Sequence, residues 1–345
     1  MKKNNYSRRR FIGSSALLTA GLGLSNTKVF GIPAYIKSLN KPSSLINGVQ
    51  LGLITYSFRS LKDQSAEATL EYILACGVNA VELMGEPAES FTGAPENKID
   101  RRVYYRLMRA KKANKLTKDQ KKEVADLEAQ VASHKKELQL WRSTVDMGKF
   151  ETLRKMYNDA GVSIYAFKPR AFQIDSSDID INWGMKAAKA LGASHVTLEH
   201  PSNDAHTLKL GKMAEKNGVS VGYHGHEQQT ATFWDTALEQ SQSNAMNLDI
   251  GHYVAAGYDP VALVKEKHNR IKSIHIKDRQ NPANGKRNLV WGTGDTPLAE
   301  TLQLMRDQKY TFPATVEYEY RTPEGSDAIS EIKKCVAYCK SALNA

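Results

Sequence analysis

The chain is short of the residues that staple small domains and of those that build membrane spans. It has three cysteines in 345 residues, Cys76, Cys335 and Cys339, too few and too badly spaced for a disulfide framework or a zinc knuckle. Cys335 and Cys339, four apart, read instead as small buried side chains on a last helix. Only one apolar run stands out, Phe11 to Leu24, and its 14 residues fall short of the ~20 that a spanning helix needs. Glycine (23) and proline (11) are too sparse for a collagen-like or low-complexity chain, while 41% hydrophobic residues suffice for a large globular core.

Two stretches lack something more local. Residues 1–41 contain no Asp or Glu against eight Lys or Arg, and residues 97–149 hold fifteen basic side chains against seven acidic ones. Together they more than account for the net charge of +11, because the other 251 residues carry 25 basic and 30 acidic groups. A negative body lacks the basic stripe that a phosphate backbone requires, so nucleic acid is excluded as a partner. Its length matches one (β/α)₈ barrel, ~250 residues.

The start, MKKNNYSRRRFIGSSALLTAGLGLS, has the charged head and modest apolar core of an export signal. Ser7-Arg8-Arg9-Arg10-Phe11-Ile12 resembles the twin-arginine motif. That resemblance implies engagement of the twin-arginine export machinery, transfer in the folded state, often with a metal already loaded, and a periplasmic location. No clean A-x-A site follows, so cleavage near Gly31 and retention as a membrane anchor both stay open. Residues 1–41 are read as export signal and linker, and 42–345 as one barrel domain.

From Val49 onward, β-branched runs alternate with stretches of helical period that close on Gly or Asn, the pattern of βα units. Eight strands are expected, at 49–58, 78–85, 162–170, 195–200, 219–227, 245–252, 271–278 and 312–320. Eight repeats of one unit predict a closed (β/α)₈ TIM barrel. Residues 97–149 interrupt it after the second strand. No Gly or Pro occurs from Glu96 to Met147, and Thr117 and Gln120 have capping-box spacing, so an inserted helical hairpin is predicted. Its charges read as a solvated face, with a lid over the barrel mouth or a homo-oligomer contact as the functional alternatives.

In such a barrel the chemistry sits at the C-terminal strand ends. The last five strands end in Glu199 and His200; His224, His226 and Glu227; Asp249 and His252; His275, Lys277 and Asp278; and Glu317 and Glu319. Asp, Glu and His avoid interiors unless paired or metal-bound, so this concentration points to a site. Asp249, His275 and Glu317 form a mixed carboxylate and imidazole set suited to Mn²⁺, Zn²⁺, Co²⁺ or Mg²⁺. Taken singly, each also reads as a satisfied polar residue at a strand end.

The sequences LDIGHYVAAGYDP, RIKSIHIKD, VWGTGDTPLAETLQLMRDQKY and TVEYEY, with YHGHEQQ before them, resemble the xylose isomerase-like barrels of the sugar phosphate isomerase/epimerase superfamily. The resemblance runs from about Val49 to the C-terminus apart from the insertion. It implies a divalent ion held by residues of the fifth to eighth strands, with Asp249, His275 and Glu317 as three ligands and His252 and Lys277 facing the substrate. The family's glutamate on the fifth strand is replaced by His224. The fourth ligand is therefore either His224 or Glu199.

A metal bound to a sugar's carbonyl and adjacent hydroxyl would stabilise an enediolate formed by proton abstraction α to the carbonyl. His226 or Glu227 is the candidate base, His252 or Lys277 orients or protonates a sugar oxygen, and His200, Tyr56 and Trp291 are candidate substrate contacts. Reprotonation makes an isomerase or epimerase, the first reading, acting on a free sugar or keto-sugar because phosphorylated sugars are mainly cytoplasmic. Loss of a β-substituent makes a lyase that cleaves 3-keto-glycosides, the alternative. A non-catalytic sugar-binding barrel is a third reading, against which the intact Asp249, His275 and Glu317 argue. The superfamily's nucleases of abasic DNA carry histidines on the second and third strands, and none occurs in VNAVELMG or VSIYAFKPR.

If the arginine pair addresses the chain for export, Arg8→Lys combined with Arg9→Lys will hold the precursor in the cytoplasm. Normal appearance of the double variant in a periplasmic fraction would leave only a generic signal.

Overall fold

A computed structural model describes residues 41–345, so the export signal expected over 1–41 lies outside the described residues apart from Lys41. Eight parallel strands follow one another in chain order and close into a barrel: β1 Val49–Ile54, β2 Ala80–Met84, β3 Ser163–Lys168, β4 His195–Glu199, β5 Ser220–His224, β6 Asn244–Asp249, β7 Ile271–Ile276 and β8 Ala314–Val316. Closure is made by β1, which pairs with β8 through Leu51–Ala314 and Leu53–Val316 as well as with β2. The expected (β/α)₈ architecture is the observed one. At the bottom of the barrel Leu45–Ile46 turns back on β1 through Asn47 and Gly48, both at positive φ, as a two-residue hairpin loop of this kind requires.

The observed strands end one to four residues before the expected ones. His226 and Glu227 follow β5 in a loop, and Tyr318 and Glu319 follow β8. The apolar periodicity runs on past the last ladder hydrogen bond because the rim loops are themselves buried. Helices cover the outer face, and outward-facing strand residues such as Leu83, Phe167, Val196 and Ile274 are buried between the two layers.

The barrel interior is polar where an aliphatic filling is usual. Glu82, Thr197, Asn247, Ser273, His195 and Thr315 are all buried there. The Tyr165 hydroxyl bonds Thr315 Oγ1 at 2.7 Å. It can reach that far because position 52 is glycine: a Cβ at Gly52 would lie 2.5 Å from that hydroxyl.

Two helices, Arg101–Lys112 and Lys118–Thr144, occupy most of residues 97–149. The second begins at a complete capping box between Thr117 and Gln120. Its C-terminal turn is fastened to the barrel. Trp141 packs edge-on against Trp183 with centroids 5.4 Å apart. Arg142 lies over the same ring at 4.5 Å, pairs with Asp180 at 2.9 Å and reaches Glu89 at 3.2 Å. Among the described residues no helix is long and apolar enough to cross a membrane.

Removing one member of a buried ion network leaves the others uncompensated. Arg142→Ala is expected to lower the unfolding free energy by about 3 kcal/mol, read from the shift of the urea midpoint at constant slope. An unchanged midpoint would show that the insertion is not anchored through this residue.

Candidate functional site

The strand ends converge on a cavity of about 510 Å³ whose wall includes Tyr56, Lys168, Glu199, His224, His226, Glu317 and Glu319. Below it, ligand atoms of His224, Asp249, His275 and Glu317 all lie within 4.8 Å of one another, and all four residues are buried. His275 Nδ1 is 3.0 Å from Glu317 Oε2 and 4.0 Å from Asp249 Oδ2, and His224 Nε2 is 4.0 Å from the same Asp249 oxygen. Of the two expected fourth ligands, the structure brings His224 into the cluster. Glu199 stays on the cavity wall, bonded by Lys168 at 2.9 Å and 3.5 Å from His226 Nε2. Burial raises the Glu199 carboxyl, but His224, Lys168 and His226 outweigh it and bring it down to about 2.

The cluster is over-supplied with negative charge. Burial, and then Glu317, push the Asp249 carboxyl up to about 7 despite Lys277 and His275. The Lys277 ammonium is 3.0 Å from Asp249 Oδ2 and 2.8 Å from Glu317 Oε2. The buried Asp249 oxygen has no hydrogen-bond partner, and the ammonium meets it as an ion pair. A carboxylate oxygen without a hydrogen bond, facing two imidazoles and a second carboxylate, fits a divalent cation, and this donor set is the kind such ions take. His224, Asp249, His275 and Glu317 could hold it.

The floor beneath these residues decides which histidine nitrogens face the cluster. His275 Nε2 donates to Glu82 Oε2 at 2.8 Å, so Nδ1 is the nitrogen turned upward. Glu82 in turn accepts from Thr197 Oγ1 at 2.6 Å. Asn247 gives Nδ2 hydrogens to Ser273 at 2.7 Å and toward Glu82 at 3.5 Å, so its Oδ1 is the acceptor for His224 Nδ1 at 2.8 Å. His224 then presents a bare Nε2. Burial, with Lys168 and His275, brings its pKa down to about 3, which keeps the ring neutral as ligation requires. Burial also acts to lower His275, but Glu82 and Glu317 carry it up to about 10. The Glu82 carboxyl falls to about 2 because His275 outweighs its burial.

The histidines His224, His226 and His252 form a second group with ligand atoms within 4.8 Å. His252 does not suit a metal there. Its Nδ1 accepts from Arg279 Nη1, and since arginine only donates, the hydrogen must sit on Nε2. Burial, then Lys277 and the neighbouring histidines, hold its pKa below the ordinary histidine range. His252 is thus a neutral N–H donor beside the cavity.

The remaining expected residues divide. Lys277 is buried among Asp249, Glu317 and Glu319 and does not form cavity wall. The Glu227 carboxylate turns to Arg279 Nη2 at 2.5 Å, away from the wall. His200 packs on Phe233 with centroids 4.4 Å apart, and burial lowers its pKa to about 4. Trp291 packs edge-on against Tyr338. Neither ring lines the cavity, whereas Tyr56 does. Asp278 accepts from the backbone N–H groups of Gly292, Thr293 and Gly294 and shapes the loop after β7.

Glu82, Asn247 and Lys168 were not singled out from the sequence. The available signal was a lone Glu between Val81 and Leu83, in a run otherwise apolar enough for a fully buried strand.

Comparison with known proteins agrees with the fold. A family model described as xylose isomerase-like TIM barrel matches residues 123–339. An inosose dehydratase of Clostridium perfringens is 27% identical over 156 residues, 39% of this chain and 52% of the relative. The chain spans from a quarter to about half the length of the curated relatives it matches. Among solved structures, a sugar phosphate isomerase/epimerase from Parabacteroides distasonis superposes with TM-score 0.55 at 17% identity, covering 86% of this chain and 95% of the other. The probable 3-DHS dehydratase from Bacillus anthracis superposes with TM-score 0.54 at 14% identity, covering 84% and 97%.

Carboxylates that orient a metal-binding histidine are worth about 10–100-fold in affinity. Glu82→Gln should therefore weaken Mn²⁺ or Zn²⁺ binding by that factor in isothermal titration while leaving the far-ultraviolet spectrum unchanged. Wild-type affinity in this variant would mean that His275 does not bind through Nδ1.

Proposed function

The chain belongs to the xylose isomerase-like TIM barrel family, and from that premise we propose that it is a divalent-metal-dependent enzyme that enolises a keto-sugar and completes the reaction by β-elimination. The observation that carries the proposal is the buried His224, Asp249, His275 and Glu317 cluster beneath the cavity. Bound there, a divalent ion would supply Lewis acidity to the carbonyl oxygen.

The chain's own groups supply the proton chemistry. His226, half-exposed on the cavity wall and 3.5 Å from the anionic Glu199, is placed to take the proton α to the carbonyl, with Glu199 orienting the ring. The C–H electron pair becomes the new double bond, and the bond from the β-carbon to the leaving oxygen breaks with its own pair. His226 can then return the proton to that oxygen. His252 offers Nε2–H to a sugar oxygen without changing charge, because Arg279 keeps its tautomer. Lys277 is held as an ammonium by Asp249, Glu317 and Glu319 and balances the carboxylates.

Elimination is favoured by two considerations. The curated relatives are named as dehydratases, and His224 removes from β5 the carboxylate that the family pattern places there. Isomerisation or epimerisation is the second reading. It is supported by a second potential proton carrier, Glu319, which lines the cavity beyond β8, opposite Glu199 at the end of β4 in an eight-stranded ring. We also propose that the protein works after export, as the Arg8–Arg9 pair suggests.

Loss of Lewis-acid assistance worth several kcal/mol corresponds to at least about 100-fold in rate. Glu317→Gln and Asp249→Asn are each expected to lose that much turnover and stoichiometric metal while remaining folded. Chelator-treated wild type should behave alike, and product analysis on a keto-glycoside separates a released fragment from an isomer. Full turnover in either variant, or in metal-free protein, would remove the metal-dependent reading, and a pure protein that never takes up a divalent ion would point to a binding barrel.

A further inference from the structure

The cavity above the cluster is not isolated. A second cavity of about 520 Å³ lies between the barrel rim and the helix Lys118–Thr144, and Arg170 and Gln173, just beyond β3, line both. The two volumes therefore meet at these residues, and each falls within the ~300–1,000 Å³ of ordinary small-molecule sites. Both side chains are exposed, and neither makes a hydrogen bond or ion pair with another of the described residues.

The second cavity has a charged and polar wall. Part of that wall is fixed by pairs within it: Arg142 bonds Asp180 and Glu89, Gln139 donates to Asp180 at 3.1 Å, and Lys135 meets Asp175 at 2.6 Å. The rest is left open. Glu96, just before the insertion, and the half-buried His134 within it line the same cavity, and neither bonds or pairs with another of the described residues. A carboxylate that accepts, a guanidinium that donates, and an amide and an imidazole that do both thus face one space.

Because both signs of charge are present, such a wall selects no ion of one sign. A sugar hydroxyl donates and accepts, so a ring carrying several of them satisfies mixed groups, whereas an apolar body would take water from them and return no hydrogen bond. A flat aromatic group fares no better, because the wall has no Phe, Tyr or Trp among the described residues for it to stack on. Val131 and Leu138, both from the insertion, are the small aliphatic area on which the C–H face of a sugar ring can lie.

We propose that the second cavity is a sugar-binding subsite for the leaving group: the substrate is a keto-disaccharide whose oxidised ring lies above the cluster and whose second ring lies between the barrel rim and the insertion. Arg170 and Gln173 donate to oxygens near the bond that joins the rings, and Glu96 and His134 bind hydroxyls of the second ring. In the elimination the bond from the β-carbon to the bridging oxygen breaks with its own pair, that oxygen takes the proton removed from the α-carbon, and the second sugar departs with a free hydroxyl. The proposal rests on the elimination reading above, because only a cleavage gives the enzyme a departing ring to hold. It also assigns a purpose to the insertion, which is to form the outer wall of that subsite.

The test uses the metal-loaded full chain with three probes, the 3-keto derivatives of methyl glucoside, phenyl glucoside and cellobiose. Wild type should show a kcat/KM for the disaccharide at least about 10-fold above those for the other two, as a few added hydrogen bonds would give. Leu138→Trp fills the space from a half-buried wall position, and His134→Ala removes one polar contact while suiting the helix it sits in. The disaccharide-to-methyl ratio of kcat/KM should fall at least about 10-fold in the first and about 3-fold in the second. A wild type that handles the phenyl glycoside as well as the disaccharide, or a ratio unmoved in both variants, would overturn the subsite. If wild type turns over none of the probes, the elimination reading fails by itself, and titration calorimetry with cellobiose and methyl glucoside decides the subsite. Tighter binding of cellobiose that is lost in Leu138→Trp supports it, and equal or absent binding of the two sugars overturns it.

Discussion

The chain of charge that runs Glu82, His275, Glu317, Lys277 through the inside of the barrel is the constraint on which the rest of the structure turns. Each of these groups is buried, and none could be buried alone, because an isolated charge in such surroundings costs far more than a domain's net stability. Glu82 is stabilised by His275 and Thr197, His275 by two carboxylates, and Lys277 by three. The interior layers of the barrel follow from this. Asn247 and Ser273 are polar because they complete the hydrogen bonding under the histidines. Asp249 Oδ2 makes no hydrogen bond and is met by the Lys277 ammonium as an ion pair, at the point where the four ligand atoms converge.

That floor determines the chemistry available above it. Hydrogen bonds from below leave Nδ1 of His275 and Nε2 of His224 as the nitrogens that face the cluster, while Arg279 makes His252 a donor. Three histidines within a few ångströms of one another thereby receive different roles without any difference in residue type. The insertion is fastened with equal care, by Trp141 against Trp183 and Arg142 between Asp180 and Glu89, so it meets the rim as a fixed wall.

Much of this was legible in the order of residues. Eight runs ending in polar groups predicted eight strands, and all eight are present, because apolar β-branched runs reflect burial on both faces of a parallel strand. The capping box at Thr117 was readable because a cap is made within four residues. That Asp249, His275 and Glu317 would lie near one another was expected from the strand ends, since a barrel brings those ends together whatever the loops do, whereas the choice between His224 and Glu199 beside them stayed open. The placements of Glu227, His200, Trp291 and Lys277 were not, because their directions depend on partners such as Arg279, Phe233, Tyr338 and Glu319, up to 52 residues away along the chain. The part played by Glu82 was also hidden: its partner His275 is 193 residues distant.

The sequence by itself determined the barrel, the place of the insertion, the acidic balance of the body and the residue types at the rim, because these follow from periodicity, local capping and composition. Tertiary structure alone decided which of Glu199 and His224 enters the cluster, which ring nitrogens carry hydrogen, and that a second cavity opens against the insertion. The physical reason is the same in each case. Ligation, tautomer and cavity shape depend on distances of a few ångströms between residues far apart in the chain, and those distances exist only once the barrel has closed.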